Sequence, residues 1–251
     1  MTRVTGTTEP VAPDATISLE ARGLVRTFGP IRAVDGVYLR LAPGQLLALF
    51  GPNGAGKSTV LQLLAGSLNP TAGVVLLGGE TMRAGEPSTH RRIGVLSHHS
   101  FLYGRLTVAE NLRFYGRLYG LDNLSDRVAE RLRSVGLGER GASQVQTLSR
   151  GMRQRLALAR TLLHDPEIVL LDEPYTGLDA HAAATLRGVL SSLKDGHRTV
   201  VLVTHNLQQG LELADQVAIQ VRGRIAFHGM RTDLDGAGFE GFYRDTVDAA
   251  G

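Results

Sequence analysis

The sequence of 251 residues contains no cysteine. This excludes a disulfide scaffold, a thiolate zinc site, a cysteine nucleophile, an iron–sulfur cluster and haem attached through a Cys-x-x-Cys-His motif. Lysine is almost absent as well: Lys57 and Lys194 are lysine, and the rest of the 27 basic residues are arginine. A net charge of +3 is too mild to argue for a nucleic-acid partner. No run approaches the roughly 18 apolar residues that a membrane-spanning helix needs. The longest apolar runs, such as Leu46–Phe50 and Ile168–Leu171, have the length of buried strands. The opening stretch MTRVTGTTEPVAPDATIS has threonine and proline but no apolar centre, so it reads as a disordered lead-in over 1–15 and not as a secretory signal. What is present, 43% hydrophobic and 20% charged residues, is the balance of a globular protein.

Alternation predicts half-buried strands at Ile17–Leu24 and Val37–Leu41, and further strands at Val74–Leu77 and Ile93–Leu96. The run LLALF at 46–50 opens into GPNGAGKST at 51–59, and VLQLLAG follows as a helical stretch that Gly66 can stop. From about 98 to 148 the pattern turns helical. Thr107 and Glu110 have capping-box spacing, and a second helix is expected over Asp126–Val135, ended by Gly136. Then come a helix at Arg150–Leu163, a strand at Ile168–Leu171, a helix near Ala180–Leu193 and a strand at Thr199–Val203. Strands alternating with helices imply an α/β fold with a parallel sheet covered on both faces. The block 98–148 reads as a helical subdomain inserted into one domain over 16–229. The tail, 230–251, has too little apolar content to form a domain of its own.

Gly51-x-x-x-x-Gly56-Lys57-Ser58 fits the P-loop pattern and lies between a buried strand and a helix, as its chemistry requires. Glycines let the backbone curl so that successive N–H groups face one phosphate, and the following helix adds positive potential. Gly51, Pro52, Asn53, Gly54, Ala55, Gly56, Lys57, Ser58 and Thr59 are therefore the candidate nucleotide site, with Lys57 for the β/γ-phosphates and Ser58 for Mg²⁺. Neither lysine follows an asparagine, so the Asn-Lys-x-Asp guanine-reading motif is missing and guanine specificity is not expected. The strand Ile168–Leu171 ends in Asp172-Glu173. Asp172 suits Mg²⁺, Glu173 suits polarising the attacking water, and as strand neighbours they should point to opposite sides. His205, after the strand Thr199–Val203, is placed to contact the γ-phosphate and orient that water.

With Leu148-Ser149-Arg150-Gly151-Met152, some 20 residues before that strand end, these motifs resemble the ABC-transporter ATPase family from about Ile17 to Gly229. The resemblance implies a P-loop NTPase of the ABC ATPase type, its parallel core sheet joined by an antiparallel β subdomain and an inserted helical subdomain. It implies a Mg²⁺-dependent ATPase, paired as a homodimer or pseudo-dimer, at the cytoplasmic face of a membrane beside integral membrane permease subunits. Ser149 and Gly151 would grip the γ-phosphate of ATP held by the partner copy, Asp179 falls in the loop that crosses that interface, and Phe28 falls where an aromatic stacks on adenine. Two positions depart from the family pattern: Arg150 and Met152 replace a Gly and a Gln of the signature, and His98 stands where a Gln usually contacts Mg²⁺. The segment SHHSFLYGRLTVAENLRFYGRLYGL, with LSRGM, is most similar to the haem-exporter ATPases of cytochrome c maturation. A multidrug or polysaccharide exporter subunit is the alternative within transport. A relative acting on DNA or ribosomes would be expected to carry a coiled coil or a second P-loop, and the sequence has neither.

Overall fold

A computed structural model describes residues 18–83, 85–97, 99–194 and 196–251. The expected lead-in and His98 lie outside the described residues. Two sheets organise the chain. The first is antiparallel, in the order β2-β1-β4-β5, from β1 (Leu19–Phe28), β2 (Ile31–Leu41), β4 (Ala72–Leu77) and β5 (Glu80–Thr81). The second has the order β10-β9-β3-β8-β7-β6, from β3 (Leu46–Phe50), β6 (Ile93–Leu96), β7 (Ile168–Asp172), β8 (Thr199–Val203), β9 (Gln216–Val221) and β10 (Arg224–Met230). Its strands run parallel except for β10, which pairs antiparallel with β9 at the edge.

β3 and β8 are buried at every residue, as continuous apolar runs must be when both faces of a sheet are covered. One face packs on α1 (Lys57–Leu64) and the antiparallel sheet, through Leu47, Leu49, Val60, Leu64, Leu24 and Val37. The other packs on α5 (Arg150–Thr161), α6 (Ala180–Ser191), α7 (Leu207–Leu213) and α8 (Phe239–Ala250). The segment 230–251 thus holds a helix that lays Phe239 against Phe50, ring centroids 5.5 Å apart. A short helix, α2 (Pro87–Arg92), leads into β6.

Helices α3 (Val108–Leu118) and α4 (Leu124–Ser134) form a third core with α5, built on Val108, Leu112, Val128, Leu132, Leu156 and Leu163. The capping box forms as its spacing predicts: Thr107 N donates to Glu110 Oε2 at 2.7 Å, and Glu110 N to Thr107 Oγ1 at 3.2 Å. Fully buried Asn111 ties the preceding loop to α3, accepting from Tyr103 N at 2.8 Å and donating to Tyr103 O at 3.0 Å. α5 belongs to both cores, with Ala157 and Leu158 facing the main sheet and Leu156 and Ala159 facing this lobe.

Candidate nucleotide site

β3 delivers the chain to the carboxyl end of the parallel sheet, where α/β folds place their ligand crevices. The loop that follows is an arch only glycine can make. A Cβ at Gly51 (φ +153°) would lie 2.2 Å from Gln220 O, and one at Gly56 (φ +99°) 2.1 Å from Ala33 O. Gly56 is also the N-cap of α1, with no side chain taking up the first N–H groups, so they remain for an anion. Lys57 spans the arch, its Nζ donating to Gly51 O at 2.8 Å and Pro52 O at 2.9 Å. Burial pushes the Lys57 ammonium below its ordinary pKa, while Glu173 and Asp172 oppose the shift.

The arch faces a cavity of about 310 Å³ lined by Asn53, Gly54, Ala55, Gly56, Lys57, Ser58 and Thr59 together with Ala33, Asp172, Glu173 and Val203. Asp172 and Glu173 therefore face one cavity and not opposite sides, which corrects the strand-alternation expectation. The reason is local: β7 ends at Asp172, and Glu173 has φ +50°, a left-handed turn that swings its side chain back. Such a conformation costs about 1–3 kcal/mol in a non-glycine residue and is typical of functional turns. Glu173 N donates to Val203 O at 2.9 Å, and His205 Nδ1 lies 2.8 Å from Glu173 Oε2. His205 is exposed and Glu173 half-buried, so the pair stands at the cavity rim.

The donor set fits Mg-nucleotide: a glycine cradle, one buried cation, a hydroxyl at Ser58 and a carboxylate at Asp172. Mg²⁺ is commonly held by one or two protein oxygens plus phosphate oxygens, which this set can provide. Among the described residues no group of three or more His, Asp or Glu forms a separate metal cage.

Ser149, Gly151 and Asp179 gather in a second place and do not line that cavity. Ser149 is the exposed N-cap of α5, its Oγ accepting from Met152 N at 3.2 Å. Asp179 is the N-cap of α6, its Oδ1 accepting from Ala182 N at 2.8 Å. Gly151 lets these two helix starts meet, since a Cβ there would lie 2.6 Å from Ala182 Cβ. Phe28 sits apart again, 44% exposed at the tip of the β1–β2 hairpin, with the Arg26 guanidinium 4.6 Å from its ring centroid.

Sequence reasoning missed the floor of the arch. The turn after β9 clamps it: Gly223 N donates to Ala55 O at 2.9 Å, and Gly223 O accepts from Asp35 N at 2.8 Å. Gln220 is fully buried behind the same loop. The Arg-Gly-Arg at 222–224 was the available signal, a turn between the mostly apolar run that ends at Val221 and the alternating segment that follows.

Residues 34–176 match the family described as ABC transporter. The chain is 36% identical over 221 residues to Nod factor export ATP-binding protein I of Cupriavidus metallidurans, covering 87% of this chain and 73% of that protein. It is 38% identical to the sulfate/thiosulfate import ATP-binding protein CysA of Rhodopseudomonas palustris, over 87% of this chain and 64% of the relative. It is 35% identical to the daunorubicin/doxorubicin resistance ATP-binding protein DrrA of Streptomyces peucetius, over 87% and 67%. In fold it is similar to cbiO1 from Clostridium perfringens, part of the ABC transporter complex cbiONQ, with TM-score 0.80 at 24% identity, covering 91% of this chain and 93% of that one. None of these names speaks of haem, so the expected likeness to haem-exporter ATPases narrows to the wider family. No helix among the described residues is long and apolar enough to cross a membrane. By the family match and these relatives, and with a P-loop and two carboxylates facing one cavity, this chain belongs to the ABC transporter family as an ATP-binding, ATP-hydrolysing subunit.

Proposed function

We propose that the chain powers an exporter: it binds Mg-ATP at residues 51–59, pairs with a second copy or a homologous subunit, and drives integral membrane permease subunits from the cytoplasmic face. The observation that carries the site assignment is the convergence of Lys57, Ser58, Asp172 and Glu173 on one cavity, with His205 hydrogen-bonded to Glu173. Lys57 neutralises the β/γ-phosphates, and Ser58 and Asp172 hold Mg²⁺, which supplies further charge neutralisation when bound. Glu173 polarises the attacking water, and His205 orients it while fixing the Glu173 carboxylate. Phosphoryl transfer asks mainly for positioning and charge stabilisation, and this set supplies both.

The exposed start of α5 is the surface for the partner copy's nucleotide, with Ser149, Gly151 and the crossing residue Asp179. Phe28 stacks on adenine, and the segment around His98 faces the permease. The ATPase domain spans 16–229, with its helical subdomain over 98–148 and the tail over 230–251. Export is supported by the two relatives named for export and for drug resistance. Haem as cargo rests on the segment 97–121 with LSRGM at 148–152, and the alternative of a multidrug or polysaccharide exporter agrees better with the relative named for daunorubicin/doxorubicin resistance.

Glu173→Gln tests the chemistry. ATP binding should persist, hydrolysis should fall about 10²-fold or more, and the chains should accumulate as an ATP-bound dimer in size-exclusion chromatography. Undiminished turnover would refute the assignment. Co-purification from solubilised membranes, with mass spectrometry of partners and absorbance of bound pigment, decides between haem and other cargo.

A further inference from the structure

One of the two residues that depart from the family's signature, Arg150, also lies against the loop that follows Glu173. A Cβ built on Gly177 would lie 2.1, 2.2 and 2.4 Å from Arg150 Cζ, Nη1 and Nη2. Three guanidinium atoms at nearly one distance mean that the face of the group covers the position a Cβ of residue 177 would take. Gly177 has φ +69°, a conformation that disfavours a side chain, and any Cβ there would displace the Arg150 guanidinium. Arg150 is the first residue of α5, and the first turn carries no acidic residue. A cation at the positive end of a helix is electrostatically unfavourable, and among the described residues the guanidinium has no hydrogen-bond or carboxylate partner. The side chain is exposed, and its guanidinium lies beside Gly177.

That contact leads back to the chemistry through backbone bonds. Leu178 N donates to Tyr175 O at 3.1 Å, Thr176 N donates to Glu173 O at 3.2 Å, and Glu173 N donates to Val203 O at 2.9 Å. The turn from Glu173 to Leu178 is thus one hydrogen-bonded piece, and its left-handed entry at Glu173 needs an external restraint to persist. We infer that Arg150 is a positioning residue: its guanidinium, laid on Gly177, holds the Glu173–Leu178 turn against the start of α5 and so sets the Glu173 carboxylate in its own chain. Arg150 and Gly177 form a matched pair, in which the glycine leaves the space that the arginine fills. The inference rests on Glu173 acting on the attacking water.

The test is a double-mutant cycle on the full chain, reading kcat and KM for Mg-ATP with Tm alongside. Arg150→Ala should lower kcat about fivefold and leave the ATP KM within about twofold and Tm unchanged. Arg150→Lys should not restore the rate, because an ammonium has no planar face to lay on the glycine. Gly177→Ala should lower kcat further in the wild-type background, and by at least about threefold less when Arg150 is already alanine, since the clash is then gone. Wild-type kcat in Arg150→Ala, rescue by lysine, or an equal Gly177→Ala penalty in both backgrounds would each overturn the inference. So would a parallel loss of Tm and kcat. Full turnover in Glu173→Gln would instead sink the functional reading, whereas an additive cycle beside an inactive Glu173→Gln sinks the positioning role alone.

Discussion

The chain presents two helix N-termini suited to anions, and they are built in opposite ways. At α1 the N-cap is a left-handed glycine without a side-chain cap, Lys57 is buried, and two carboxylates face the same cavity. At α5 the N-cap is a serine that already satisfies Met152 N, and the surface is exposed. The first is closed within one chain: cradle, cation, hydroxyl and carboxylates all face one another. The second offers a hydroxyl and a helix start on an exposed surface, apart from the cavity that Lys57 and the two carboxylates line. The contrast sets an end whose parts converge within one chain against one that lies open on the surface.

The largest effect should come from breaking the closed end. Lys57→Ala removes the buried cation of the arch and should lower ATP affinity and hydrolysis by about 10²-fold or more, read by nucleotide titration of the single chain and by phosphate release. Unchanged affinity would remove Lys57 from the site. A smaller and different effect is expected at the open end. Ser149→Asp keeps a strong N-cap and suits the helix dipole, so Tm should hold or rise. A carboxylate there repels an incoming triphosphate, so hydrolysis should drop about tenfold while ATP binding by the single chain stays within about twofold. If ATP binding by the single chain falls as well, the two ends are not separate and the comparison fails.

The smallest effect at neutral pH lies in the joint that carries α5. His164 stacks on Tyr119 with ring centroids 4.0 Å apart, and burial pushes its pKa down to about 4. The folded state therefore binds this proton more weakly than the unfolded chain, whose histidine titrates near 6.5. Stability is complete above about pH 6.5 and is lost as pH falls toward 4, by about 3 kcal/mol, levelling off below that. His164→Phe should leave Tm near neutrality almost unchanged and flatten its decline between pH 6.5 and 4. An equally steep decline in the variant would show that another group controls acid stability.

Legibility in the sequence followed how local the determinant was. The glycine arch, β7 and β8, the capping box and the stops at Gly66 and Gly136 are short-range matters of pattern and backbone freedom, and each appears where the residues predict it. Both glycines take positive φ, +66° and +67°. β9 was missed because buried Gln216 and Gln220 break an otherwise apolar strand, and α7 because seven residues give too little periodicity. α8 was missed because its anchor, Phe239, has meaning only against Phe50, which lies 189 positions earlier.

By itself the sequence determined the nucleotide arch, the strand–helix alternation from β3 to β8 and the identity of the family, since these follow from residue type and short-range spacing. Only the tertiary structure decided that Asp172 and Glu173 share a cavity, because a single left-handed residue, stabilised by its neighbours, reverses the alternation that a strand would impose. It also decided that Arg150 rests on Gly177 and that the turn after β9 supports the arch, because contacts between segments distant in the chain exist only once the sheet has brought them together.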